Sequence, residues 1–406
     1  MRQKNLKMKN KVVLAFSGGL DTSYCVKYLT DEKGMEVHSI LVNTGGFSNE
    51  ELSEIEDRAY KLGVTSHKTQ EATELFYDKC VKYLIFGNVL RNNTYPLSVS
   101  AERVFQAMAV AEHAVQLEAE YIAHGSTGAG NDQVRFDLIF EIMCPELEIL
   151  TPIRDQKLSR KEEIDYLQHK GVDWDWTKGQ YSINKGLWGT SVGGSETLTS
   201  ELGLPNEAFP SQLSAKDEVV IELKFEKGEV KGIDDTNYES PADAIKALQH
   251  IAEAYAIGRD IHVGDTIIGI KGRVGFEAAA ALIIIKSHHL LEKHNLTKWQ
   301  QYWKEQLGNW YGMLLHEGQY LDPVMRNIEG FLQDTQQNVT GKVFVKLLPY
   351  RFELQGITSD YDLMSSRFGQ YGEMNTGWSG QDVKGFTKIL ANQNKIFTAI
   401  NNPEND

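Results

Sequence analysis

Cysteine is scarce in this chain. There are three among 406 residues, Cys25, Cys80 and Cys144, with neither paired nor metal-type spacing. That excludes a disulfide framework and a zinc-finger pattern, and it is the usage expected in a reducing cytoplasm. Long apolar runs are missing too: none approaches the ~18 residues of a membrane span. The first segment, "MRQKNLKMKN", is basic but leads straight into a strand-like run, without the apolar core or small-residue cleavage site of a signal peptide. Positive charge is in deficit, with 42 Lys plus Arg against 56 Asp plus Glu and a net charge of -14. No run of five basic residues offsets this, so neither nucleic acid nor an anionic membrane is expected as a main partner. Small anions held by local backbone groups stay open. Neither G-x-x-x-x-G-K-[ST] nor G-x-G-x-x-G occurs, and no Ser-His-Asp or Cys-His arrangement presents a nucleophile.

What is present is alternation. The length suits about two or three domains. Over the first 170 residues "VVLAF", "VHSILVN", "VTSHK" and "YIAHG" read as strands. Between and after them, 20–30, 50–62, 73–86 and 97–119 read as helices. Ser159 and Glu162 form a capping-box pattern, and Gly171 stops the helix that follows. Strand-helix alternation predicts α/β architecture, a doubly wound parallel sheet over 1–175. The alternation then ceases. A hairpin around Lys227-Gly228, a helix from Pro241 to Gly258 and strands in "NVTGKVFVKLLPYRFELQGI" predict an α+β domain over 176–375. In 376–406, Val383, Phe386, Leu390, Phe397 and Ile400 share a helical stripe, to be covered either by its own domain or by a neighbouring subunit.

Two motifs carry chemistry. "AFSGGLDTS" (15–23) joins a strand to a helix through Ser17, Gly18 and Gly19. Glycines let the backbone turn sharply, and free N–H groups with the positive helix end suit a phosphate. Ser17, Thr22 and Ser23 add hydroxyls. Asp21 adds a negative charge that makes sense beside magnesium or a pyrophosphate-stabilising network. The loop resembles the Ser-Gly-Gly-x-Asp-Ser loop of the ATP pyrophosphatases, with Thr22 in the usual serine place. "YIAHGSTGAGNDQVRF" (121–136) follows a strand, at the edge where open α/β sheets bind ligands. Its Thr127, Asn131, Asp132 and Arg135 present four different polar functions, a set suited to an amino acid with its ammonium and carboxylate. His124 either touches nucleotide or packs. His288, His289 and His294 lack partner cysteines or a facing acid and read as surface residues.

The second stretch resembles the "HG-x-T-G-x-G-N-D-Q-V-R-F" signature of the argininosuccinate synthase family. "YPLSVSAERVF", "YSINKGLWGTS", "VGDTIIGIKGRVGFE" and "SGQDVKGFTKIL" resemble further blocks of that family, collinear from residue 11 to about 400. The resemblance implies an ATP-dependent ligase of arginine biosynthesis, joining citrulline to L-aspartate through a citrulline-adenylate with release of pyrophosphate and AMP. It implies that Ala15, Phe16, Ser17, Gly18, Gly19, Leu20, Asp21, Thr22, Ser23 and Gly125 cradle ATP, with Mg2+. Thr127, Asn131 and Asp132 would hold aspartate. Tyr95, Ser100, Asn131, Arg135, Ser182 and Ser191 would hold citrulline. Arg103 would steady negative charge near the α-phosphate or a carboxylate. A homotetramer is implied as well. Rival readings within the loop superfamily, a tRNA-modifying enzyme or an amide ligase, lack the basic surface and the glutamine-hydrolysing partner domain they need.

The chain departs from the family in three places. "NTGGFS" (43–48) stands where Thr-Ala-Asp-(Val/Ile)-Gly-Gln is usual, and Gly128-Ala129-Gly130 replaces Gly-Lys-Gly. Gly264 and Phe276 fall on the glutamate and tyrosine that serve the citrulline α-ammonium. Either this is drift, with Asp260 or Asp265 compensating, or the substrate is an N-acyl citrulline, with Gly264 opening space for the acyl group.

Overall fold

The first apolar run forms a strand with both faces covered. In the computed structural model, which describes residues 10–174, 181–365, 369, 371–372 and 377–402, β1 (Lys11–Ala15) sends Val12 and Leu14 into one core and Val13 into another. Alternate side chains of a strand point to opposite faces, so a continuous apolar run is what a doubly covered strand needs. β2 (Glu36–Asn43), β3 (Ser66–Glu71), β4 (Tyr121–Ala123) and β5 (Glu148–Leu150) complete a parallel sheet in the order β3-β2-β1-β4-β5. The chain reverses direction across the sheet between β1 and β4, so the loops after those two strands share one crevice.

Helices α1 (Leu20–Lys27), α2 (Asn49–Leu62), α3 (Glu102–Gln116), α4 (Asp132–Met143) and α5 (Arg160–His169) divide between the faces. Leu20, Ile55 and Leu167 put α1, α2 and α5 in one core; Val104 and Ile139 put α3 and α4 in the other. The Ser159–Glu162 capping box is present. α3 begins five residues later than the apolar periodicity predicts. Leu97 has φ +62°, which a helix does not accept, and Tyr95–Ser100 is thereby kept as a loop.

The second half is antiparallel. β6 (Ser182–Gly186) and β7 (Gly189–Gly193) form a hairpin. β8 (Val219–Glu226) and β9 (Glu229–Ile233) turn at Lys227 and Gly228, both at positive φ, as the hairpin reading predicts. With β10 (Thr236–Asn237), β13 (Gly341–Leu348) and β14 (Arg351–Thr358) they make a sheet ordered β10-β9-β8-β13-β14. β11 (Arg259–Asp265) and β12 (Lys271–Glu277) join the first hairpin as β11-β12-β7-β6. The domain boundaries expected at 175/176 and 375/376 fall outside the described residues.

Helices α6 (Pro241–Glu253), α7 (Ala279–Asn295), α8 (Lys298–His316) and α9 (Pro323–Thr335) follow in the same half. α7 and α8 weld the halves together. Lys304, fully buried, pairs with Glu292 at 2.7 Å and donates to the Phe86 carbonyl at 2.6 Å. His288 corrects a sequence expectation: it is wholly buried, with Nδ1 2.7 Å from Asn88 Oδ1 and Nε2 2.8 Å from Gln336 Oε1. Its partners are distant in sequence, which is why it read as a surface residue. His289 and His294 are half-buried and face Glu305 and Asp362.

α10 (Gly380–Leu390) and α11 (Asn392–Asn401) break the predicted single stripe into two short helices with no buried residue. Phe386 is 64% and Phe397 68% exposed. Docking on the chain's own domain is therefore not what the structure shows.

One close approach gives a direct test of the weld. A Cβ on Gly308 of α8 would overlap the Gly87 carbonyl, and neither backbone can yield easily. Gly308→Ala is expected to lower stability by about 1–3 kcal/mol, the usual cost of overpacking, read as a lower midpoint in thermal melts.

Candidate active site

The phosphate-type loop keeps its shape through its own hydroxyls. Gly18 takes φ +75°, and a Cβ there would press on Ile55 at 3.0 Å, so glycine is required on both counts. Gly19 N donates to Ser17 Oγ at 3.4 Å, and Ser17 N to Thr22 Oγ1 at 3.4 Å. Ser23 Oγ instead donates to the Gly19 carbonyl at 2.7 Å and is fully buried, so its hydroxyl shapes the loop from behind. Phe16 and Leu20 are buried and Ala15 is half-buried; they anchor the loop, leaving backbone groups for a ligand.

The second loop lies against the first. A Cβ on Gly125 would sit 3.2 Å from Thr22 Cγ2 and 3.3 Å from Thr22 N. His124 is buried and packs among Phe136 and Phe140; Nε2 donates to Asp137 at 2.9 Å, and Nδ1 accepts from Ser126 N at 3.1 Å. Its place is structural: it holds the loop's first turn.

A cavity of about 370 Å³ opens between these loops and the β11-β12-β7-β6 sheet. Asp21, Tyr95, Ser100, Arg103, Thr127, Asn131, Asp132, Arg135, Ser191 and Gly264 all line it. Among the lining residues, Asp132 meets Arg103 Nε at 3.1 Å and Arg135 Nη1 at 2.9 Å. Burial opposes its ionisation, but the two guanidiniums outweigh that and hold its carboxyl below the usual range. Arg135 is locked by the His316 carbonyl, which accepts from Nε at 2.9 Å and Nη2 at 2.8 Å. Asn131 Oδ1 accepts from Ile267 N at 2.8 Å, tying the second loop to the β11–β12 connection.

Of the phosphate-type loop only Asp21 lines this cavity, and two of the expected substrate residues lie elsewhere. Ser182 is exposed at the head of β6 and does not line the cavity. Phe276 is fully buried behind Tyr95, ring centroids 5.3 Å apart, because β12 turns it into the core. Among the unpredicted residues on the wall are three basic ones: His262, His316 and Arg273. His262 stacks on Tyr95 at 5.1 Å. Burial, then Arg91, lowers its pKa, so its ring is neutral at neutral pH. A Cβ on Gly264 would lie 2.5 Å from His262 Nε2, so the space that glycine leaves is already taken by an imidazole. No local pattern marks these residues; only the block "GRDIHVGDTIIGIKGRVGFE" runs through two of them. His262 Nδ1, His316 Nε2 and Ser100 Oγ are buried without a hydrogen-bond partner among the described residues, as polar atoms awaiting a ligand would be.

Residues 11–173 match the Arginosuccinate synthase N-terminal HUP domain, and residues 181–397 the Arginosuccinate synthase C-terminal domain. The chain belongs to the argininosuccinate synthase family. It is 37% identical to the argininosuccinate synthase of Methanocaldococcus jannaschii over 90% of this chain and 93% of that one. It is 34% identical to the Dictyoglomus turgidum argininosuccinate synthase over 96% and 98% of the two chains. Members of the argininosuccinate synthase family are ligases that use ATP as a substrate to join citrulline and aspartate. Among the described residues no helix is long and apolar enough to cross a membrane.

The fork geometry of Arg135 is testable. It spends three donor groups on a carboxylate and a carbonyl at once, which a lysine ammonium on a flexible stem does not reproduce. Arg135→Lys is expected to lower kcat/KM for the amino-acid substrates by about 10- to 100-fold in a pyrophosphate-release assay, the range for one or two charged hydrogen bonds.

Proposed function

We propose that the chain adenylates the ureido oxygen of an N-acyl citrulline and joins the product to L-aspartate. In this reading the ureido oxygen attacks the α-phosphorus of ATP, pyrophosphate leaves, and the aspartate amine displaces AMP. Positioning and charge stabilisation supply the catalysis, since no nucleophilic side chain is required. The 15–23 loop and Gly125 hold ATP. Thr127, Asn131 and Asp132 hold aspartate, with Asp132 countering its ammonium. Tyr95, Ser100, Arg135 and Ser191 hold the ureido substrate. Arg103 faces developing negative charge.

Magnesium fits a limited role. No group of three His, Cys, Asp or Glu side chains converges among the described residues, so phosphate oxygens and water would supply most of its ligands. Asp21 belongs to the phosphate-type loop itself. Its neighbour Glu163 is pushed up to about 8 by burial and then by Asp21, so Glu163 is largely protonated at neutral pH. Asp21 would hold the ion and orient it.

His262 carries the choice of an acylated substrate. Where the citrulline ammonium would need a carboxylate, the wall offers a neutral imidazole with a free Nδ1, the bare Gly264, and Arg273 held by the carbonyls of Glu196 and Leu202. Asp265 also lines the wall but is exposed and paired with Lys271 at 2.5 Å; Asp260 is not part of it. An ammonium there would lose a charged hydrogen bond, whereas an amide suits a neutral donor or acceptor.

In steady-state pyrophosphate release with ATP and aspartate, N-acetyl or N-succinyl citrulline is expected to exceed citrulline in kcat/KM by about 10-fold or more. A preference for free citrulline would overturn the acylated reading. Release without any ureido substrate would overturn the ligation. We also read α10 and α11 as the arm of a homotetramer, covering their exposed stripe on neighbouring subunits. Light scattering on the intact chain should give a tetramer, and a chain ending before Gly380 a smaller species. Equal masses for both would remove that role.

A further inference from the structure

The turn "NTGG" has no place in the ligation as described, yet every residue in it is engaged. Asn43 Nδ2 donates to Glu71 Oε2 at 2.6 Å, and Asn43 Oδ1 accepts from Gly45 N at 3.0 Å. The Thr44 carbonyl accepts from Leu187 N at 3.0 Å. A Cβ on Gly46 would overlap the Lys185 carbonyl, so the turn seats the β6–β7 hairpin directly. The Thr44 hydroxyl donates to Glu102 Oε2 at 2.7 Å.

Glu102 is the first residue of α3 and only 1% exposed. A side chain on Gly186 of the hairpin would overlap its carboxylate, so the hairpin backbone closes it in. Its Oε1 accepts from Arg103 Nη1 at 3.3 Å, behind the face that Arg103 turns to the cavity. The same Nη1 donates to Gln106 Oε1 at 2.7 Å, and Nη2 reaches Asn184 Oδ1 on β6 at 3.4 Å. Two carboxylates thus flank one guanidinium, Asp132 at the rim and Glu102 behind.

We propose that Glu102 is a positioning residue acting through Arg103, its protonation setting how much of the Arg103 charge is free for anionic substrate groups. The inference rests on the reading that Arg103 faces such a group. With Glu102 neutral, the set Arg103, Arg135, Asp132 and Glu102 carries a net positive charge. With Glu102 ionised it carries none. The titratable groups acting on Glu102 are Arg103 from its own helix and Asp132 from α4; the β2 end and the hairpin present the Thr44 hydroxyl and the Gly186 backbone. Burial first raises its pKa, which Arg103 and Thr44 partly offset and Asp132 reinforces, leaving it at about 7. The neutral form therefore dominates below about pH 7, and anion binding weakens as pH rises through that value.

The test is kcat/KM for ATP against pH in the intact protein and in Glu102→Gln, with whichever ureido substrate turns over best. kcat/KM reports groups of the free enzyme, and the comparison cancels the ionisation of the substrates. The intact protein should lose about 5- to 10-fold more than the variant between pH 6 and 8, the size expected for one neighbouring charge. Superimposable profiles would overturn the proposal. If Glu102→Gln does not fold, Thr44→Val serves: losing a donor to the carboxylate should move the inflection to higher pH, and an unmoved inflection overturns the idea. Arg103→Lys separates the two readings. If it leaves the KM for ATP and for both amino acids unchanged, the assignment of Arg103 fails. If it raises any of them while Glu102→Gln keeps the native profile, only the role of Glu102 fails.

Discussion

Asp132 held between two guanidiniums is the contact on which the site depends. Charges in a partly dry cavity are stable only when paired and hydrogen-bonded, and removing one partner leaves the others uncompensated. The pairing also ties distant elements together. Arg103 comes from α3 and touches β6 through Asn184; Arg135 comes from α4 and is fixed by a carbonyl at the end of α8. The two arginines thereby join the wall contributed by the second half to the loops of the first. The donors are set before any substrate arrives, which is the condition for charge stabilisation without reorganisation.

Around that centre the backbone does as much as the side chains. Gly18 turns the first loop, Gly125 lets the second lie on it, and Gly46 lets the β6–β7 hairpin meet the end of β2. Each is a place where a methyl group would force chains apart. Ser17, Thr22 and Ser23 contribute hydroxyls that shape the loop, so what it offers to an anion is mainly oriented N–H groups and the start of α1.

Most of the parallel sheet was legible because β1, β2 and β4 are largely apolar and its helices carry a clear 3.6-residue stripe; β3 is polar, and the three-residue edge strand β5 was not read. The β8–β9 hairpin was legible because Lys227-Gly228 is a turn with a mechanism. The β11-β12-β7-β6 sheet was not: β6 is polar and exposed, β7 has glycine at both ends, and neither alternates. Those strands exist through pairing with partners more than eighty residues away, such as Thr190 with Glu277, which no local period records. The site divides in the same way. Asp132 and Arg135, three residues apart on one helix, could be read together. His262, His316 and Glu102 come from three separate elements and are brought to the site only by the fold.

By itself, then, the order of residues determined a doubly wound half with a glycine turn after its first strand, a polar loop beside it and the family to which both belong. Those features are local: a glycine turn, a helix stripe, a run of polar residues after a strand. The tertiary structure decided what surrounds Gly264, why Phe276 lies outside the cavity, and that Glu102 stands behind Arg103. The physical reason is that an imidazole's charge, a carboxyl's ionisation and the space left by a glycine are set by what packs against them. Here those neighbours arrive from the other half of the chain.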